Sequence, residues 1–343
     1  MSQISSPRKL LWPLNSAYRL ALWLRELRLG TRFEPVRRLR CPVVSIGNLS
    51  TGGSGKTPLA IALARLLAER GFEVDVLSRG YGRRRRIAAR VDAEGSAEEF
   101  GDEPLLIARS AIAQCGHIPV FVAAQRFEAG LLAEAGTSPD SDRSRPRVHI
   151  LDDGFQHRQL GRDVDILLLN RQDWQDRLLP AGNLREPLAA AKRASVIAIP
   201  GEDVEFESEL KSWGWNGPIW RLRRKSDLPE LDGPVIAFCG IARPDQFFGA
   251  LGEGGIQLAG RAAFRDHHPY SVRDIDKLLG DAREKGAVAL LTTEKDLVRL
   301  GKLAARFPVS MPLKTVGLRV EIEQEDASIG WLVSRLQRTV PPL

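Results

Sequence analysis

Cysteine is scarce in this 343-residue chain, and the three present, Cys41, Cys115 and Cys239, form neither a CxxC pair nor an even set. That usage predicts reduced thiols in a cytoplasmic protein and argues against both a disulfide framework and a zinc site. No uncharged apolar run reaches about 18 residues, so no helix is expected to span a bilayer. The first residues also lack the clean apolar stretch of a secretory signal. Acidic side chains are outnumbered, 43 against 50 basic ones, for a net charge of +7. An anionic partner is therefore favoured, be it nucleotide phosphate, nucleic acid or an acidic membrane surface. No nucleic-acid-binding motif accompanies the charge, and nucleic acid is not expected as a partner.

What is present is an alternation of strand-like and helix-like runs. Near 42–200, β-rich segments at 43–46, 74–78, 119–122, 148–151, 165–169 and 196–199 alternate with helical patterns at 58–70, 103–113 and 126–135. This pattern predicts an α/β fold, a doubly wound and mainly parallel sheet of the P-loop NTPase kind. Residues 137–147 read as an exposed loop. A composition shift at 201–218 suggests a linker or irregular crossover. Beyond it a second, smaller α/β set has strands at 219–222, 235–239, 287–292 and 313–316, with helices at 244–251, 271–285, 294–303 and 328–338. Ahead of both, Leu14, Ala17, Ala21 and Leu24 follow helical spacing beside Arg19, Arg25 and Arg28, as in an amphipathic helix docked on its domain or lying on anionic lipid. The expected division is 1–30 for that helix, 31–205 for the core domain and 206–343 for the smaller domain.

The run STGGSGKT at 50–57 stands between a strand pattern and a helix pattern, the context a phosphate-binding loop requires. Backbone N–H groups along Ser50, Thr51, Gly52, Gly53, Ser54 and Gly55 would cradle ATP phosphates at a helix N-terminus, with Lys56 reaching the β- and γ-phosphates. Thr57 would place its hydroxyl on Mg2+. Ser50 departs from the glycine usual at the first position, although a small residue still fits a tight turn. Downstream, VHILDD at 148–153 is an apolar strand ending in two carboxylates suited to the same ion. Alternation along the strand lets one of Asp152 and Asp153 face the metal while the other orients water or substrate, and Asp152 is expected nearer.

Thr51 stands where a switch ATPase of the deviant-loop type carries lysine, and TTEKD at 292–296 is out of register for guanine recognition. A kinase must also hold and deprotonate an acceptor. Loops suited to that task are SRGYG (78–82), with Arg79 and Tyr81, GDEP (101–104), DDGFQH (152–157) and LPAGNLREP (179–187). Such loops gather at the C-terminal ends of the strands. Locally, Asp102 reads as a helix cap. Arg185 reads as a stabiliser of transferring charge or a surface residue. Gln156, His157 and Asn183 are candidates for shaping the nucleotide or acceptor site. The run 83–86 of four arginines reads as a solvated loop that would attract phosphate or anionic lipid.

Together, NLSTGGSGKTP (48–58), SRGYG, GDEP and DDGFQH resemble the tetraacyldisaccharide 4'-kinase family, over most of the chain. The resemblance implies transfer of the γ-phosphoryl group of ATP to the 4'-hydroxyl of an acylated disaccharide 1-phosphate lipid, giving lipid IV-A, at the cytoplasmic face of the inner membrane. No obligate protein partner is implied. It matches Asp102 and His267 to a general-base pair and places Glu186 near Lys56 and the metal. The spacing of RDHHP (265–269) does not itself choose between His267 and His268, the latter being a second substrate-site candidate. The alternative reading is a P-loop NTPase switch coupling hydrolysis to a protein partner.

Overall fold

The structure, a computed structural model, describes residues 14–53, 55–84, 86–115, 118–136 and 145–338. Ser54 of the phosphate loop, Arg85 of the arginine run and residues 1–13 lie outside the described residues. So do residues 137–144 of the expected loop, and Arg147 already begins a strand.

Twelve strands form one sheet: β1 Val43–Asn48, β2 Glu73–Ser78, β3 Ala89–Arg90, β4 Val120–Val122, β5 Arg147–Asp152, β6 Val164–Leu168, β7 Val196–Pro200, β8 Ile219–Asp227, β9 Val235–Cys239, β10 Leu258–Ala263, β11 Ala289–Thr293 and β12 Leu313–Ile322. Their spatial order is β10-β9-β11-β12-β8-β7-β6-β1-β5-β2-β4-β3. All neighbours are parallel except β3 with β4 and β8 with β12. β1 sits between β5 and β6 with every residue buried, its polar Ser45 and Asn48 included, which is why it shows no alternation of exposed and buried positions.

The longer helices are α1 Leu14–Arg28, α2 Lys56–Glu69, α3 Asp102–Cys115, α4 Arg126–Ala135, α5 Val204–Ser212, α6 Pro244–Glu253, α7 Val272–Glu284, α8 Glu294–Leu300 and α9 Glu325–Gln337. The α2 residues Leu59, Leu63, Leu66 and Leu67 are fully or almost fully buried against the sheet. The antiparallel pair β8 and β12 joins the two parallel halves, in register from Leu222↔Ile322 to Asp227↔Gly317. Beyond it α9 returns to the first half, where Ile329, Leu332 and Leu336 enter the same core as the α2 leucines. Each such buried side chain contributes about 1.5–3 kcal/mol.

The segment at 201–218 is not simply a linker. Its middle is α5, whose Phe206 and Leu210 are wholly buried one turn apart while Glu205, Glu209 and Lys211 are exposed. β10, with the small and polar run LAGRAA, was not expected from strand propensity.

Candidate active site

At the C-terminal end of β1 the chain turns through Gly52 (φ 110°) and Gly55 (φ 90°) into α2. Both angles lie in the left-handed region that glycine enters without strain. Ser50 is 2% exposed, and its Oγ accepts a 3.1 Å hydrogen bond from Asn48 Nδ2. The departure from glycine is thus anchored by the preceding strand. Thr51 N–H donates to the Asn183 carbonyl at 2.8 Å, and Asn183 is itself held by Asp176, so the 179–187 loop braces the phosphate loop. Lys56 Nζ donates to Asn48 Oδ1 at 2.9 Å and lies 3.5 Å from Asp153 Oδ1. Thr57 follows in the first turn of α2.

The two carboxylates at the end of β5 have opposite environments. Asp152 is 1% exposed, and its Oδ1 has no hydrogen-bond partner. Burial, then the charges of Glu103 and Asp153, push its carboxyl up to about 7 against Lys56 and Arg126. Asp153, at φ 49°, turns the other way. Burial raises its carboxyl, but Lys56, Arg185 and Arg126 together hold it below the usual carboxylate range. Arg185 Nη1 lies 3.0 Å from Asp153 Oδ2, and Arg126 Nη2 donates to the Asp153 carbonyl at 3.1 Å. Gln156 donates to the Asn48 carbonyl at 2.8 Å and faces Arg185 at 3.4 Å. His157 is held down to about 3 by burial and by Arg126, Arg162, Arg25 and Arg79.

A second cluster draws on both halves of the chain. The SRGYG and GDEP loops cross backbone to backbone: a Cβ on Gly101 would stand 2.9 Å from Gly80 Cα, and Gly101 has φ 93°. That crossing sets Asp102 at the start of α3 beside His267, whose Nδ1 is 3.0 Å from Asp102 Oδ2. Arg299 Nε donates to the same oxygen at 2.7 Å, and Lys295 Nζ donates to Glu103 at 2.8 Å. Burial raises the Asp102 carboxyl, but the hydrogen bond from His267 and the charges of Lys295 and Arg299 hold it well below its ordinary value. The Tyr81 ring lies 5.9 Å from that of His267 and is largely exposed. Gly101→Ala is expected to cost about 1–3 kcal/mol through left-handed strain and the Gly80 contact. Thermal unfolding checks this, with unchanged stability as the contrary result.

Of the two adjacent histidines, only His267 meets Asp102. His268 stacks on Phe264 at 4.6 Å and pairs with Asp274 at 3.2 Å, within its own half. Glu186 is 7% exposed and takes a 2.5 Å hydrogen bond from Arg193; both line a cavity under α1. Arg79 is exposed, near enough to Arg126 and His157 to depress both.

The family model described as tetraacyldisaccharide-1-P 4'-kinase (LpxK) matches residues 7–337. This chain belongs to the tetraacyldisaccharide 4'-kinase family. Curated relatives of that name include one from Koribacter versatilis, 40% identical, covering 95% of this chain and 98% of that protein. Another from Aquifex aeolicus is 36% identical and covers 90% of this chain and 94% of its own. The crystal structure of "apo" form LpxK from Aquifex aeolicus in complex with ATP is similar at a TM-score of 0.73 and 34% identity, over 96% of this chain and 99% of that one.

In this member of the family, the residues that sequence reasoning missed are Arg299, Lys295 and Arg126. Lys295 lies within TTEKD and Arg299 just beyond it; Thr293 of that run caps α8 and its buried Asp296 accepts the Gly240 N–H at 3.1 Å. TTEKD thus locks the helix that carries Lys295 and Arg299 to GDEP. A cation three residues past that aspartate was the available signal. Arg126 had none, being one arginine at a helix start.

Proposed function

We propose that this family member transfers the γ-phosphoryl group of ATP to the 4'-hydroxyl of a tetraacylated disaccharide 1-phosphate, using Mg2+, at the cytoplasmic face of the inner membrane. The observation that carries the acceptor chemistry is the contact of Asp102 with His267 Nδ1. A carboxylate held below its ordinary range is a poor base, so the proton acceptor is the imidazole it orients. His267 Nε2 takes the proton of the 4'-hydroxyl. The freed oxygen forms a bond to the γ-phosphorus as the bond to the β-phosphate oxygen breaks, releasing ADP. Lys56 and Arg185 balance the charge on the transferring group. Tyr81 and Arg79 stand on the acceptor side.

Mg2+ fits the donor set: the buried Asp152 Oδ1 without a hydrogen-bond partner is a hard oxygen in want of a cation, with the Thr57 hydroxyl as the second ligand. When bound, the ion would supply positive charge that neutralises the charge developing on the transferring phosphoryl group.

The membrane assignment rests on α1. Tyr18 Oη donates to the Arg185 carbonyl at 2.8 Å and Arg25 to that of Gln156, so one side of the helix is docked next to the site. Leu20, Trp23, Leu24 and Leu27, spaced as one helical face, are 43–57% exposed. No described helix is long and apolar enough to cross a membrane. An acyl chain costs about 0.8 kcal/mol per exposed methylene, which favours an enzyme that comes to the bilayer. Replacing Leu20, Leu24 and Leu27 together with serine is expected to raise the apparent KM for lipid about tenfold or more and leave that for ATP unchanged. An unchanged lipid KM rejects the role.

The direct test supplies γ-labelled ATP and the acylated disaccharide 1-phosphate in mixed micelles. Labelled lipid is expected. Steady ATP hydrolysis with no labelled lipid under any condition would support the switch ATPase, and efficient labelling of soluble sugars a small-molecule kinase.

A further inference from the structure

At the opposite end of the sheet from the phosphate loop, we infer that Cys41, Glu134 and His149 form a binding site for a divalent cation of the zinc class. Cys41 stands two residues before β1, His149 lies in β5 and Glu134 in the last turn of α4. Their ligand atoms all lie within 4.8 Å of one another. Around tetrahedral zinc, bonds near 2.0 Å to nitrogen or oxygen and 2.3 Å to sulfur set ligand atoms about 3.3–3.6 Å apart. His149 Nε2 and Glu134 Oε1 are already at 3.6 Å.

An independent observation points to a ligand. The His149 side chain is fully buried, yet neither ring nitrogen makes a hydrogen bond of acceptable geometry. Its Nε2 faces Glu134, and on the Nδ1 side Asp75 Oδ2 stands at 3.2 Å. Asp75 is gripped by Arg147 at 2.7 and 3.2 Å. A carboxylate on the far side of a ligating imidazole orients it once the two are hydrogen-bonded, and from 3.2 Å a small turn of the ring would bring Asp75 into that role. Glu134 is fixed as well, since its Oε1 accepts the N–H groups of Arg40 and Cys41 at 2.7 and 2.9 Å. Charge also closes: thiolate and carboxylate neutralise a dication, and Asp75 with Arg147 is a neutral pair. Mixed sulfur, nitrogen and oxygen donors select zinc over the magnesium proposed at the other end of β5. The site would staple α4 and the entry to β1 onto β5. The cysteine spacing argued against zinc because it registers only ligands close in sequence, whereas these stand at 41, 134 and 149.

Metal-stripped protein titrated with Co2+ provides the test. Expected are one equivalent bound, tetrahedral d–d bands and a thiolate-to-cobalt charge-transfer band, all displaced by Zn2+. The charge-transfer band should vanish in Cys41→Ser and survive in Cys239→Ser, and Zn2+ should raise the melting temperature of the wild type but not of Cys41→Ser. Absence of a saturable band in the wild type, or its survival in Cys41→Ser, overturns the site. Alkylation of Cys41 by iodoacetamide, mapped by mass spectrometry, needs no variant: Zn2+ should protect this cysteine, and equal labelling with and without Zn2+ counts against the site.

Discussion

Replacing Asp102 with asparagine is expected to lower kcat by about 10²–10⁴-fold while leaving the KM for ATP close to wild type. Asparagine keeps the volume and the acceptor oxygen but no longer stabilises the imidazolium that forms when His267 takes the acceptor proton. It also permits the wrong tautomer, because the amide N–H2 can face Nδ1 and leave the proton on Nε2. The fold should tolerate the change. Arg299 retains Asp296 at 3.2 Å and the Gly240 carbonyl, so its guanidinium does not become an isolated buried charge. The competing role for Asp102 is local: its Oδ1 accepts the Glu103 N–H at 3.0 Å at the start of α3. If that were its whole task, the variant would lose stability with kcat within a few-fold of wild type. Steady-state kinetics beside a melting curve separate the two.

The division between what could and could not be read from sequence follows the range of the interactions. A strand such as β9 is a short apolar run, so burial on both faces wrote itself into composition. The phosphate loop was legible because its glycines, lysine and threonine act through contiguous backbone. Asp102 and His267 were matched by resemblance, and spacing alone left His267 and His268 equal. What separates them is the chain reversal at His267, φ 57°, which sends successive side chains to different clusters. Arg299 was invisible for a related reason: its role depends on β11 and α8 bringing residue 299 against residue 102, a contact no periodicity encodes. The return of α9 to the α2 core is equally non-local, since its apolar stripe states that it packs but not on what.

Lys56→Met should lower kcat by about 10²–10³-fold or more, a loss typical of deleting one preorganised charge from a transition state. The lysine is already positioned, with Nζ on Asn48 Oδ1 at 2.9 Å and near Asp153, so little reorganisation is left for the reaction step. Methionine fills similar space along the same stem. The carboxylate it abandons keeps Arg185 at 3.0 Å, which prevents an unpaired charge and predicts a melting temperature near wild type. Lys56 is the leading influence that opposes burial in holding the Asp153 carboxyl down, so that group should shift upward toward its ordinary value in the variant. The upward shift and the loss of kcat arise from one deleted charge and should appear together, the first by carboxylate NMR and the second by turnover. A variant with the shifted carboxyl but near wild-type turnover would make Lys56 a brace for Asn48 and Asp153. The phosphoryl charge would then fall to Arg185 alone.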